Sequence, residues 1–163
     1  MSTCSVYYDS PVGRLRLFAS GRGITAIRFA DSRPVRQEAG EEETPLLREA
    51  VRQLAEYFEG KRRRFELSLD LPGTDFQKRV WQALLAVPYG ETRSYGQIAV
   101  AAGSPKGARA TGMACNRNAV SIIVPCHRIV GAGGQLVGYA GGMERKRWLL
   151  AMERKCKDAS VNL

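Results

Sequence analysis

A chain of 163 residues, 44% hydrophobic and 25% charged, has ordinary globular composition and room for one domain or two small ones. Its 25 Lys and Arg against 16 Asp and Glu leave a formal charge of +9, and the excess is local: residues 1–73 hold 12 basic and 11 acidic side chains, residues 74–163 hold 13 and 5. This points to a polyanionic partner, while the lack of a roughly 20-residue apolar run or a signal-peptide start leads us to expect a soluble, cytoplasmic protein with no membrane partner.

Three short stretches, Ser5 to Tyr8, Arg14 to Ala19 and Ile24 to Phe29, are separated by turn residues and predict an antiparallel meander. The polar, acidic stretch Asp31 to Glu43 predicts a loop. Thr44-Pro45 supplies an N-cap and a first-turn proline, and Leu47, Val51, Leu54 and Phe58 recur at helical spacing up to Gly60. Phe65, Leu67 and Leu69 alternate with polar residues and predict another strand before the Leu71-Pro72-Gly73 break.

Beyond that break, Thr74 to Gln77 is a capping box opening a helix whose predicted buried stripe is Phe76, Val80, Trp81, Leu84 and Leu85. A second capping box, Ser94 to Gln97, opens a short helix ending at Gly103, and Ser104-Pro105 is expected to start another that runs to Cys115 or Asn116. Two short helices joined by a glycine turn have the sequence form of a helix-turn-helix. The second is nearly without bulk: Gly107, Ala108, Ala110, Thr111, Gly112 and Ala114 surround Arg109. Glycine costs a helix interior about 1 kcal/mol relative to alanine, so such a helix gains from close approach, either to the rest of the protein or to a nucleic-acid groove. Val120 to Val124 reads as an apolar extended run, Gly131 to Gly142 as a loop with six glycines, and Met143 to Lys155 as a last helix burying Trp148, Leu149 and Met152. The expected fold is mixed α+β: a small strand-helix domain with an antiparallel sheet over 1–73, then a mainly helical, winged-helix-like domain over 74–163.

Cys4, Cys115, Cys126 and Cys156 contain no C-x-x-C pair, and His127 is the sole histidine, so no metal framework is expected. Val124-Pro-Cys-His-Arg128 places that histidine beside a cysteine in an apolar segment. An ordinary thiol is mostly protonated at neutral pH and needs a base or a positive environment to act as a nucleophile; His127 is a candidate base, although sequence neighbours need not touch.

Tyr95-Gly-Gln-Ile-Ala99, Ala108-Arg-Ala110, Asn118, Ile123-Val-Pro-Cys-His-Arg128, Gly138-Tyr139 and Arg147-Trp-Leu-Leu150 stand in the order and spacing of the O6-alkylguanine-DNA alkyltransferases. Over Thr74 to Glu153 the chain resembles that family of methylated-DNA:protein-cysteine methyltransferases. The resemblance implies a cofactor-free, stoichiometric DNA-repair protein that flips a damaged nucleotide and moves the alkyl group from guanine O6 to its own cysteine. Cys126 would be the acceptor and His127, oriented by Glu153, its base through a bridging water. Asn118 would tie the recognition helix to the active segment, and Tyr95 would donate to the departing purine. Ile129, Tyr139, Ala140 and Cys115 would surround the substrate. Arg109, Ser94, Thr111, Arg117, Ala108 and Ala110 would meet double-stranded DNA in the minor groove, Arg109 filling the gap left by the flipped base. A monomer is expected, with cooperativity on DNA and activity on O4-alkylthymine left open. The rival readings are a non-catalytic recognition protein for alkylated DNA, a helix-turn-helix regulator and a cysteine hydrolase.

Overall fold

The computed structural model describes residues 4–30, 43–139 and 141–161, so the predicted loop at 31–42 lies outside the described residues. The chain divides into two compact units, Met1–Pro72 and Gly73–Leu163. The first is built on a meander of β1 (Cys4–Ser10), β2 (Gly13–Ala19) and β3 (Ile24–Phe29), antiparallel in that order. Alternation along β2 buries Leu15, Leu17 and Ala19 on one face, while Arg14, Arg16 and Phe18 share the other, with Arg16 over the rings of both Tyr7 and Phe18. Helix α1 (Pro45–Phe58) lies against β1 and β2; Thr44 caps it by accepting from Leu47 N–H, and Leu47, Ala50, Leu54 and Tyr57 are buried.

The expected strand at Phe65 to Leu69 does not form. It is reduced to one parallel bridge, Ile24 to Leu69, with Ser68 and Asp70 bonded to Ile24. The reason lies in Gln53 of α1, which is buried and takes both backbone groups of Glu66: its amide donates to the carbonyl at 3.2 Å and accepts from the N–H at 2.9 Å. A side chain thus replaces the neighbouring strand as the partner of this backbone.

In the second unit, α2 (Asp75–Leu85) has both halves of its capping box. Val80, Trp81 and Leu84 are buried, but Leu85 is exposed, since five residues beyond Val80 lies about 140° round the helix. Strand β4 (Arg93–Ser94) leads directly into α3 (Tyr95–Ala101), also opened by a complete capping box and closed at Gly103 with φ +80°. Helix α4 covers Ala108–Asn116, starting later than Ser104-Pro105 predicts. Those residues instead form a turn with proline in its second position, closed by Gly107 N–H on the Ser104 carbonyl at 2.8 Å.

The apolar run Val120 to Val124 is likewise folded rather than extended. Asn118 accepts from Val120 N–H at 3.0 Å and donates to the Val124 carbonyl at 2.9 Å, so one amide draws both ends together, and Ile122 between them takes φ +75°. A 3-10 turn at Cys126–Arg128 runs into β5 (Ile129–Val130), which pairs in parallel with β4, and α5 runs over Met143–Val161. Its inward face is Lys146, Leu149 and Glu153; the predicted Trp148 is 38% exposed and Met152 half-buried. No helix among the described residues is long and apolar enough to cross a membrane.

Replacing Gln53 by alanine strips the Glu66 backbone of both partners, and urea denaturation is expected to show a loss of about 1–2 kcal/mol.

Candidate active site

Three segments far apart in sequence carry the site. The parallel pairing of Ser94 with Val130 sets the start of α3 beside the strand that follows the cysteine turn. Asn118, just past the end of α4, ties that helix to the same turn: besides Val124 its amide donates to Cys126 Sγ at 3.3 Å, while its backbone N–H rests on the Cys115 carbonyl. The third segment is α5, which brings Glu153 beneath His127.

Glu153 is buried and heavily bonded. His127 Nε2 lies 2.7 Å from Oε2, Arg128 reaches both oxygens at 2.8 and 3.1 Å, and Gly90 N–H donates to Oε1 at 3.3 Å. Arg128 is itself held by the Val87 carbonyl at 2.9 Å and lies over the Tyr89 ring. Burial alone pushes the Glu153 carboxyl up, but the hydrogen bonds from His127 and Arg128 and the Arg128 charge outweigh it and hold it well below the usual carboxylate range. Burial pulls His127 down despite Glu153, so the ring is neutral at pH 7. With the carboxylate accepting from Nε2–H, Nδ1 carries the lone pair; this atom is buried and has no hydrogen-bond partner among the described residues.

Cys126 is 7% exposed, and burial pushes its thiol up, opposed by the Asn118 hydrogen bond and the Lys146 charge. At rest it is a thiol. Cys115 is also buried, pushed up to about 12 by burial and by Cys126. Tyr139 is half-buried with its ring edge-on to His127 at 6.5 Å, and Ile129 is buried in β5. Ala140 lies outside the described residues.

Tyr95 donates its hydroxyl to the Val137 carbonyl at 3.0 Å, and burial raises its pKa. Lys146 shares this acceptor: its ammonium bonds Val137 at 3.2 Å and Gly138 at 3.0 Å, fixing the glycine-rich loop beside the thiols. Neither Lys146 nor Arg128 was assigned a part from sequence. Arg128 stood inside the Cys-His-Arg motif, and Lys146 lies seven residues before Glu153, two helical turns along the same face; that spacing was the available signal.

On α4, Ala108, Arg109, Ala110 and Arg117 are exposed. Thr111 corrects the expectation of a DNA-facing side chain: it is fully buried, because α4 turns Thr111, Ala114 and Cys115 inward, where the Trp81 indole donates to the Ala114 carbonyl at 3.1 Å. Ser94 is half-buried, and its hydroxyl accepts from Gln97 N–H at the start of α3. Among the described residues no group of three or more His, Cys, Asp or Glu is placed to hold a metal ion.

Residues 75–155 match the DNA-binding domain of 6-O-methylguanine DNA methyltransferase, and residues 5–71 match the ribonuclease-like domain of the same proteins. The chain belongs to the 6-O-methylguanine DNA methyltransferase family. A methylated-DNA–protein-cysteine methyltransferase of Mycobacterium leprae is 51% identical over 147 residues, covering 90% of this chain and 89% of the relative. The constitutive protein of that name from Bacillus subtilis is 46% identical over 152 residues, covering 90% and 92%. The crystal structure of Mycobacterium tuberculosis OGT in complex with DNA matches with a TM-score of 0.84 at 46% identity, covering 96% of this chain and 94% of that one. This family member therefore shares the fold of that structure over nearly its whole length.

His127 is held neutral below its ordinary value, so the unfolded chain takes up a proton first as pH falls from about 6.5, and the stability His127 contributes above that pH is lost. The unfolding free energy is expected to decline between pH 7 and pH 5, and His127→Asn to flatten that decline; denaturant midpoints across this window check it.

Proposed function

We propose that the chain repairs duplex DNA by moving the alkyl group of O6-alkylguanine directly and irreversibly onto the sulfur of Cys126. It would act as a stoichiometric methylated-DNA–[protein]-cysteine S-methyltransferase, without a cofactor. The observation that carries this is His127: its Nε2 is locked on Glu153, its Nδ1 is left as a buried acceptor, and it directly follows a thiol that is protonated at rest.

The reacting carbon is saturated and bonded to oxygen, which suits in-line attack by a polarisable thiolate. In this reading His127 takes the Cys126 proton through a water while Glu153 fixes the ring and stabilises the imidazolium as it forms. Arg128 keeps the Glu153 carboxylate ionised and aligned. The S–C bond forms as the C–O bond breaks; the electron pair goes to the purine, which takes up a proton. Tyr95 is the donor to that purine, exchanging the Val137 carbonyl for the base. Backbone groups at Ile129 and Ala140, with Tyr139 and Cys115, hold the substrate, and Lys146 fixes the loop that leads into Tyr139. The product is a thioether that none of these groups can cleave, so each molecule acts once.

O6 lies within the base stack, so the nucleotide must be extruded at a cost of a few kcal/mol. The reading assigns this to the second unit, with exposed Arg109 filling the gap and exposed Arg117, just past the end of α4, meeting a phosphate at the minor groove. The buried Cys115 and Cys126 form no disulfide, which suits the reducing cytoplasm.

Intact-mass spectrometry after incubation with a duplex containing one O6-methylguanine tests the proposal. A gain of about 14 Da, saturating at one per molecule and missing in Cys126→Ser, is expected; tight binding without a mass gain would make this a recognition protein. Glu153→Gln is expected to slow alkylation about a hundredfold at a temperature where the variant remains folded, with duplex affinity nearly preserved. An unaltered rate would remove Glu153 from the proton path.

A further inference from the structure

We infer that Met113 is an apolar wedge that enters the duplex beside Arg109, close to the extruded nucleotide; this rests on the reading of α4 as the groove-facing helix. Met113 is 56% exposed, on a helix whose inward face is already filled by Thr111, Ala114 and Cys115. It stands one turn after Arg109 and one turn before Arg117, so the three share the outward face. Around it that face offers only alanine, asparagine and cations, and the chain has no acidic residue between Glu91 and Glu144. Such a charge field selects a polyanion over a protein groove or an apolar partner.

A large apolar side chain that is 56% exposed, among cations and small residues, gains little from packing in its own unit. It has one in a DNA groove, where unbranched or bulky apolar side chains slip between base steps and help to unstack them. Methionine, flexible and polarisable, fits such an irregular gap. From Arg109 to Met113 the helix rises about 6 Å, close to two base-pair rises of about 3.4 Å. A helix lying along the groove therefore sets the wedge one to two steps from the nucleotide that Arg109 replaces.

The test uses the full chain as Arg109→Ala, Met113→Ala, Met113→Gln and Met113→Leu. Rates are measured on a duplex with one O6-methylguanine and on free O6-benzylguanine. In a Cys126→Ser background, 2-aminopurine placed one or two steps from the lesion reports unstacking on binding. Met113→Ala and Met113→Gln are expected to slow the duplex reaction about tenfold, far more than the free-base reaction, and to reduce the 2-aminopurine rise, whereas Met113→Leu retains both. If Arg109→Ala is duplex-selective while the Met113 variants match the wild type, the wedge is overturned and the groove-facing reading stands. If Arg109→Ala also slows both substrates alike, the groove-facing reading fails and the wedge with it. Equal slowing of both substrates by Met113→Ala would make this side chain a support of the fold and overturn the inference.

Discussion

The second unit turns on one buried carboxylate. Glu153 has no solvent to stabilise its charge, so its ionised form depends on the Arg128 guanidinium, the His127 ring and the Gly90 amide around it. These partners come from two segments of chain, the Cys126–Arg128 turn and the loop at Gly90, and α5 brings the carboxylate between them. Remove the carboxylate and a buried guanidinium is left uncompensated, which costs more than any single hydrogen bond contributes. The same charge sets the tautomer of His127, so the interaction that closes the structure also orients the proposed base.

A second constraint works through amide chemistry. Asn118 holds both ends of the Val120 to Val124 segment and reaches the cysteine sulfur, so the end of α4 and the cysteine turn are tied through one amide. In the proposed reaction this couples the helix that meets DNA to the sulfur that takes the alkyl group. Lys146 plays the comparable part for the glycine-rich loop, whose own sequence offers little to define its shape. Its ammonium uses loop carbonyls as partners and adds positive charge near the thiols without neutralising a carboxylate that the site needs.

Much of this was legible along the chain. Both capping boxes, the proline-started α1, the β1–β3 meander and the Cys-His-Arg motif follow from local rules, because each depends on residues within a few positions of one another. The misreadings share a different cause. At Phe65 to Leu69, at Val120 to Val124 and at Ser104-Pro105, the backbone bonds went to partners that pattern alone does not name: Gln53, Asn118 and the turn closed by Gly107. Thr111 was expected on the DNA side from the resemblance, which does not tell which face of α4 is inward. Trp81 and the α2–α4 packing decide that.

The sequence by itself determined the two-part organisation of charge, the positions of most elements, the reactive dipeptide and the resemblance that links distant motifs. Each is written in residue type and spacing. Only the tertiary structure decided that His127 lies on Glu153, that Arg128 keeps that carboxylate charged, that Lys146 grips the loop, and that Met113 points outward. Those facts depend on the directions of side chains brought together from distant positions, and a buried charge finds its partner in space rather than along the chain.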